Sequence, residues 1–217
     1  MLTPLWLTLK VALLATLFAG ATGVALGWWM ARRRFPGHAV VDAALVLPMV
    51  LPPTVLGYYL IVLVGRNGVI GQWLDRWFGI TLLFTWEGAV LAAAVVSLPL
   101  IYKAARAAFE ETDHRFAQAA RTLGAGEWEV FWRISLPLAL RGIGAGLALT
   151  FARAMGEFGA TLMIAGNLPG RTQTLSVAVY AAVQAGDDRL ALTLTLVISA
   201  VCIVLLVLAN RLLQARH

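Results

Sequence analysis

The sequence predicts an all-α integral membrane protein with about five transmembrane helices. Of its 217 residues, 60% are hydrophobic and 13% are charged, which lies well outside the usual composition of soluble domains. A helix needs about 20 consecutive apolar residues to cross the hydrocarbon core of a bilayer. Five such runs can be drawn, and they fix the fold class: Leu5–Ala31, Val40–Val64, Gly88–Phe109, Leu138–Ala165 and Leu190–Leu213.

The first run is expected to be a retained span and not a cleaved signal peptide. No basic segment precedes it, and the cluster Arg32-Arg33-Arg34 follows it as a stop-transfer signal. Gly20, Gly23 and Gly27 let another helix approach closely, either within the chain or from a second subunit.

Basic residues are distributed unevenly between the two ends of the runs. The positive-inside rule makes the richer side cytoplasmic, and an odd number of spans then places the N-terminus outside and the C-terminus inside. The net charge of +6 therefore indicates membrane topology and not a nucleic-acid groove. The richer side holds Arg32, Arg33, Arg34, Lys103, Arg106, Arg115, Arg121, Arg133, Arg141, Arg211 and Arg216, and the other side holds Arg66, Arg76, Arg171 and Arg189.

The second run and the connection after it carry turn signals. Pro48, Pro52 and Pro53 interrupt the run, and the kink they predict is either a packing feature or a hinge beside a transport pathway. Asn67-Gly68 then predicts a turn in the connection. Four tryptophans indicate an outer interfacial belt, and two more mark the inner face: these are Trp6, Trp73, Trp77 and Trp86, and then Trp28 and Trp29.

The most informative segment is the polar loop, residues 106–137, which separates the third run from the fourth. Thr112 or Asp113 is expected to cap a short helix. Phe116, Ala120 and Leu123 would share one face of that helix, which Gly124 would end in a left-handed conformation. A second short helix is expected near Glu127–Arg133, and Pro137 suits the first turn of the fourth span. An exposed helical loop of this kind predicts docking of a soluble partner.

The fourth run contains two ionisable residues, Arg153 and Glu157, four positions apart. Such groups usually face the interior of a bundle or a cavity, and these two can also pair with each other. The segment Gly166–Arg171 is expected to form an outer loop, and Thr172–Gln184 a short amphipathic helix before the last span.

The polar loop resembles the EAA motif of binding-protein-dependent ABC importer permeases. Gln118-Ala119-Ala120 is followed by three residues, Gly124, nine residues and then Ile134-Ser135-Leu136-Pro137. One position departs from the motif, because Gln118 stands where Glu is usual. An ion pair that depends on that Glu is therefore not expected. The resemblance assigns ATPase coupling to Gln118, Ala119, Ala120, Gly124, Ile134, Leu136 and Pro137.

Three further segments resemble the molybdate branch of these permeases: Leu51–Gly57, Gly156–Leu162 and Gly166–Leu175. Sulfate permeases are similar in the Gly-Glu-Phe-Gly block but less so after Asn167. The resemblance covers nearly the whole chain and favours molybdate, with tungstate, sulfate and thiosulfate as alternatives.

The resemblance implies a type I importer permease fold of the MetI-like kind, with residues 1–217 forming one transmembrane domain. It implies a homodimer in the inner membrane, a pair of cytoplasmic ABC ATPases and a periplasmic oxyanion-binding protein. No cofactor and no C-terminal regulatory domain are expected. An oxyanion needs hydrogen-bond donors and a weak positive potential along its pathway, and the candidates are Thr54, Ser97, Arg153, Glu157 and Asn167.

Two other classes of protein fit the sequence less well. A secondary transporter or channel predicts inverted repeats and several deep carboxylates, whereas Glu157 is essentially the one deep carboxylate expected here. An intramembrane enzyme is disfavoured because His38, His114 and His217 lie near run ends or in loops. The single cysteine, Cys202, excludes an intrachain disulfide and a cysteine-rich metal site. No P-loop sequence is present, so ATP hydrolysis is expected on another chain.

Overall fold

The computed structural model describes residues 2–112 and 114–214, and the regular structure within these ranges is helical. A π-helical turn spans Phe131–Ser135, between the helices Glu127–Val130 and Leu136–Met155. The helices are α1 (Leu2–Arg32), α2 (His38–Val50), α3 (Pro53–Val64), α4 (Val69–Phe78), α5 (Trp86–Glu110), α6 (His114–Thr122), α7 (Glu127–Val130), α8 (Leu136–Met155), α9 (Gly159–Ala165), α10 (Leu175–Gln184) and α11 (Asp188–Gln214).

The expected membrane architecture is confirmed. Four long apolar segments, which contain α1, α5, α8 and α11, are suited to cross a bilayer, and the bent pair α2–α3 gives a fifth when it is counted as one span. The spans predicted from the first, third and last apolar runs agree with α1, α5 and α11 to within a few residues.

The core is a three-helix unit of α1, α5 and α8. One apolar cluster joins Val11 of α1 and Ala89 of α5 to Met155 at the end of α8. A second cluster joins Ala19 and Ile101, later in α1 and α5, to Ala139 near the start of α8. Thus α1 and α5 run in the same direction and α8 runs in the opposite direction.

The glycines of α1 serve packing within the chain, one of the two roles expected for them. A Cβ atom on Gly27 would lie 2.9 Å from the amide nitrogen of Arg106, and one on Gly23 would lie 3.1 Å from that of Tyr102. Both distances are shorter than a carbon atom tolerates against backbone. Glycine therefore allows α1 to lie directly on α5, which stabilises helix pairs in membranes through close packing.

The prolines of the second run produce a sharp bend. The axes of α2 and α3 differ by 113°, and Pro53 occupies the first turn of α3. Leu56 and Leu60 of α3 then pack on Ala160 of α9 and Ala92 of α5. The bend therefore brings the start of α3 against the element that follows α8.

The fourth apolar run is not one span, and this corrects the prediction for Leu138–Ala165. Helix α8 ends at Met155, and the short helix α9 begins at Gly159 after a break. Glu157 lies in the break; its side chain is buried, and its Oε1 accepts a hydrogen bond from the Ala160 amide at 2.9 Å. This carboxylate satisfies an amide at the start of α9 that a continuous helix would have bonded internally.

Two short helices complete the fold. The connection between α3 and α5, in which Asn67-Gly68 predicts a turn, contains α4. Gly79, which directly follows α4, has a left-handed φ of 62°. The short helix expected over Thr172–Gln184 is present as α10, although it begins later, at Leu175. Leu175 and Ala178 of α10 pack on Leu194 of α11.

Candidate functional site

The first part of the polar loop is a helix closed by a glycine turn. Helix α6 ends in a Schellman motif, because the Ala125 amide donates to the Ala120 carbonyl at 3.0 Å and the Gly124 amide donates to the Arg121 carbonyl at 3.0 Å. Gly124 has a φ of +87°, a conformation that glycine adopts without steric cost. The predicted left-handed end of this helix is confirmed.

An aromatic cluster anchors the second part of the polar loop to the membrane helices. The buried ring of Phe131 lies 4.8 Å from the Trp28 ring of α1 and 6.3 Å from the Phe109 ring of α5, measured between centroids. Trp128 packs on Phe131 from the loop side at 6.0 Å. Aromatic contacts of this kind add to the stability gained from apolar burial, so the loop is fixed to α1 and α5 at Phe131.

Glu127 connects the two short helices of the polar loop to the end of α1. One carboxylate oxygen accepts from Arg121 Nε at 2.7 Å, and the other accepts from the Arg32 guanidinium. The Arg32 guanidinium also lies over the Trp28 ring, 4.7 Å from its centroid. Arg32, the first residue of the stop-transfer cluster, thus contacts both the ionic and the aromatic attachment of the loop.

The polar loop exposes large apolar side chains among its polar and charged residues. Leu123 is 88% exposed and Phe116 is 58% exposed, although their spacing also fits a buried stripe. Gln118 and Ala119 are exposed, whereas Ala120 is half-buried. Ala120, Gly124 and Ile134 line one shallow groove between α6 and α7, together with Leu123, Val130 and Arg133. Leu136 is half-buried and Pro137 is exposed in the first turn of α8, as expected for Pro137.

The cap expected from Thr112 is wrong. Its hydroxyl donates to the Ala108 carbonyl at 3.0 Å, so the side chain bonds back into α5 instead of capping α6. Asp113, the other candidate for this cap, lies outside the described residues.

Three of the pathway candidates lie around the starts of α3 and α9. Arg153 Nη1 lies 2.9 Å from Glu157 Oε2, so the expected pairing of these residues is confirmed. The Glu157 side chain is 2% exposed and that of Arg153 is 38% exposed. A Cβ atom on Gly159 would lie 2.6 Å from Pro53 Cβ, which puts the exposed residue Thr54 beside the break that contains Glu157.

The other two pathway candidates, Ser97 and Asn167, lie in α5 and in the loop after α9. Ser97 is buried within α5, and its hydroxyl donates to the Ala93 carbonyl at 2.6 Å. Asn167 is exposed in the loop after α9, and its Oδ1 accepts from Gln173 Nε2 at 2.9 Å. Among the described residues, no hydrogen bond joins Ser97 or Asn167 to Arg153 or Glu157.

One polar cluster, centred on Asp42, was not predicted from the sequence. Asp42 in α2 accepts hydrogen bonds from Tyr102 Oη at 2.6 Å, Lys103 Nζ at 2.8 Å and Arg106 Nη1 at 2.7 Å. This carboxylate lies within the second apolar run, so Glu157 is not alone as an acidic group within the runs. The sequence does contain a signal for this cluster, because the second run holds one acidic residue, Asp42, and the third run ends in the basic residues Lys103 and Arg106. The cluster ties α2 to α5 beside the polar loop.

Lys10 was also missed. It lies within α1, and its Nζ is 3.3 Å from the centroid of the Trp86 ring at the start of α5. A cation over the face of an indole ring is stabilised electrostatically. This contact joins α1 and α5 at the end opposite the polar loop.

The membrane-spanning helices and the exposed, anchored polar loop define a multi-pass membrane protein with a helical loop between two of its spans. The chain belongs to the family of binding-protein-dependent transport system inner membrane components, whose family model matches residues 23–216.

Several relatives are similar over most of their length. The chain is 53% identical over 178 residues to the molybdenum transport system permease protein ModB of Escherichia coli (strain K12), covering 82% of this chain and 78% of that protein. It is 45% identical over 189 residues to the putative molybdenum transport system permease protein YvgM of Bacillus subtilis (strain 168), covering 87% and 83%. Identity to the sulfate transport system permease protein CysT of Escherichia coli (strain K12) is 37% over 209 residues, covering 96% and 75%.

Solved structures confirm the fold expected from the resemblance. The inward-facing MetNI methionine ABC transporter, native crystal form, matches with a TM-score of 0.76 at 18% identity, covering 99% of this chain and 95% of that chain. The bacterial alginate ABC transporter in complex with its alginate pentasaccharide-bound periplasmic protein matches with a TM-score of 0.75 at 18% identity, covering 97% and 77%. At this level of identity the match establishes fold alone.

Proposed function

We propose that this chain is the permease subunit of an ATP-driven importer and that it forms the transmembrane pathway for molybdate. The observation that carries the choice of cargo is the higher identity to relatives named for molybdenum transport than to the sulfate permease. Tungstate is the nearest alternative, because the two oxyanions are close in size and charge. Sulfate and thiosulfate are the more distant alternatives.

The proposed assembly is a homodimer of this chain with two cytoplasmic ATPases and a periplasmic oxyanion-binding protein. Residues 1–217 act as one transmembrane domain, with the N-terminus outside and the polar loop and the C-terminus in the cytoplasm. The excess of basic residues at the polar-loop end supports this orientation. The alginate transporter was solved in complex with a periplasmic protein, which supports the expectation of a binding-protein partner.

Coupling is proposed to pass through α6 in a helix-in-groove contact with the ATPase. The exposed side chains of Phe116, Gln118 and Leu123 would enter that groove, and the small residue Ala119 would allow close approach. Closure of the two nucleotide-bound ATPases would draw the polar loops of the dimer together. Because Phe131 and Glu127 attach the loop to α1 and α5, the pull would tilt these helices as one body.

The pathway is proposed to pass the group formed by Thr54, Arg153 and Glu157. Glu157 offsets the charge of Arg153, and the guanidinium is the more exposed of the two groups, so an oxyanion would meet the positive end of a neutral pair and would not be trapped by an unpaired charge. Asn167 is the proposed donor farther along the pathway. Ser97 remains a candidate, although its hydroxyl must leave the Ala93 carbonyl before it can donate to an oxyanion.

Reconstitution tests this function. The complete complex is placed in proteoliposomes with ATP on the ATPase side and molybdate-loaded binding protein on the other side, and internal molybdenum is measured by mass spectrometry. We expect ATP-dependent uptake that tungstate inhibits more strongly than sulfate does. Vesicles that contain a hydrolysis-deficient ATPase are the control. Uptake driven by an ion gradient without the ATPase would contradict the proposal and favour a secondary transporter.

A further inference from the structure

Helix α4 presents an aromatic face that no other described element covers. Trp77 is 70% exposed and Trp73 is 55% exposed, and Val69 on the same face is 82% exposed. At 100° per residue, these three positions span less than a quarter of the helix circumference. Asp75 lies on the other side of the helix and is also exposed. The helix is therefore amphipathic, with its apolar side turned away from the protein.

The position of α4 relative to the spans is fixed by contacts with the end of α3. A Cβ atom on Gly71 would lie 1.9 Å from the Gly65 carbonyl oxygen and 2.6 Å from that of Val64, so α4 rests directly on the last backbone carbonyls of α3. The connection then enters α5 at Trp86. Thus α4 lies where one membrane segment ends and the next begins.

The length of α4 excludes a transmembrane role. Its 10 residues give a helix of about 15 Å, half of the roughly 30 Å of a bilayer core. An amphipathic helix of this length at the end of a span is suited to lie along the membrane surface.

Exposed apolar side chains flank α4 on both sides along the chain. They are Val62 and Leu63 in the last turn of α3, on which α4 rests, and Phe84 just before α5, and each of these three side chains is 45–63% exposed. A bilayer covers the apolar surface of the spans, so the same bilayer is in position to cover the aromatic face of α4. Tryptophan concentrates at the headgroup level of membranes, whereas a protein partner would require a separate apolar surface shaped to fit this face.

We propose that α4 is a bilayer-interface helix, with Trp73 and Trp77 inserted between phospholipid headgroups and upper acyl chains. Asp75 then faces water and headgroups. This contact anchors the outer end of α3 to the membrane, while the start of α3 remains the bend next to Thr54. The inference concerns the lipid partner of α4 and does not depend on which oxyanion is transported.

Site-specific fluorescence in nanodiscs tests the proposal. The complete complex is prepared with a Cys202→Ala permease that carries either Trp77→Cys or, as the matched control, Asp75→Cys. Each cysteine is labelled with an environment-sensitive dye, in nanodiscs of phosphatidylethanolamine and phosphatidylglycerol with or without a doxyl-labelled lipid. A dye at position 77 would lie within about 5–10 Å of the headgroup boundary, so we expect a loss of roughly half of its emission. The dye at position 75 should lose little.

Two further measurements distinguish a bilayer contact of α4 from contact with a protein partner. ATP-dependent transport by each labelled complex shows that the variant has folded. Aqueous iodide is then added with and without the soluble binding protein. A dye at position 77 that lipid does not quench, but that the binding protein shields from iodide, would overturn the proposal in favour of a protein-docking face. Equal lipid quenching at both positions, or at neither, would also overturn it.

Discussion

Replacing Gly124 by alanine perturbs the turn that closes α6 while leaving the exposed face of the helix unchanged. The φ of +87° belongs to the left-handed region, and a Cβ atom at this position meets nothing within 4 Å. The cost is therefore backbone strain and not a clash with a neighbouring side chain. The strain falls on the two hydrogen bonds that hold Ala125 to Ala120 and Gly124 to Arg121.

The size of the effect follows from two opposing contributions. A left-handed conformation costs a non-glycine residue roughly 1–2 kcal/mol, whereas replacing glycine lowers the entropy of the unfolded chain and returns about 0.4–1 kcal/mol. The net destabilisation of the closed turn is about 1 kcal/mol. If the ATPase binds only the closed turn, its affinity for the permease should fall by up to about five-fold, and the loss is largest if the turn already opens readily.

The assay is titration of the ATPase onto the permease in nanodiscs, followed by uptake in proteoliposomes. Two variants serve as controls: Gly170→Ala has a similar left-handed φ of +76° far from the polar loop, and Gly126→Ala lies in the loop with an ordinary φ of −72°. We expect Gly124→Ala alone to weaken both ATPase binding and uptake. Unchanged binding and uptake in Gly124→Ala, or an equal loss in Gly170→Ala, would refute the coupling role of the turn.

Three further predictions concern the anchor, the buried carboxylate and the bend. Phe131→Ala should destabilise the protein by about 3 kcal/mol or more, because it removes a buried aromatic ring, and thermal unfolding in detergent should reveal this, whereas Trp132→Ala at an exposed position should have little effect; equal melting temperatures would contradict the anchor. Glu157→Ala should destabilise more than Glu157→Gln, because glutamine keeps an acceptor for the Ala160 amide while losing the charge that pairs with Arg153; the same assay checks this, and indistinguishable variants would exclude the capping role. Thr54→Cys in a Cys202→Ala chain should change its labelling rate from the periplasmic side between resting and ATP-trapped complexes, with Gln72→Cys as the invariant control; labelling that ignores the nucleotide state would count against a gate at the bend.

The long spans were predictable because about 20 consecutive apolar residues have few alternatives to a membrane-spanning helix. The same rule did not predict that the fourth apolar run breaks at Gly156, because an apolar composition does not show where a helix ends within the run. Two contacts accompany the break: a local hydrogen bond from the Ala160 amide to Glu157, and the tertiary packing of Pro53 against Gly159, which the sequence alone does not show.

Helix α4 was missed although its signal is present in the sequence. Val69, Trp73 and Trp77 recur every four residues, which is a helical spacing, but the Asn67-Gly68 turn and the tryptophans also fit an irregular interfacial loop. In the structure this segment is a helix, and Gly71 packs it against the end of α3.

The end of α6 was predictable, whereas its attachment to the membrane helices was not. A glycine after a short polar helix is a strong local signal for a left-handed end. By contrast, Arg32 and Glu127 are 95 residues apart in sequence, and nothing local to either residue predicts their pairing. Local chemistry therefore gave the shape of the polar loop, and the structure was needed to show how the loop is fixed to α1 and α5.

Cross-linking between the permease and the ATPase is the most direct test of whether the ATPase docks on the polar loop. A Cys202→Ala chain with Ala119→Cys on the exposed face of α6 is assembled with the ATPase and treated with a short photoactivatable cross-linker, and Asp75→Cys on α4 is the control. Docking through the polar loop predicts a permease–ATPase product from position 119 that depends on assembly, and none from position 75. Absence of a product at position 119 in a transport-active complex, or an equal product at position 75, would contradict docking through the polar loop.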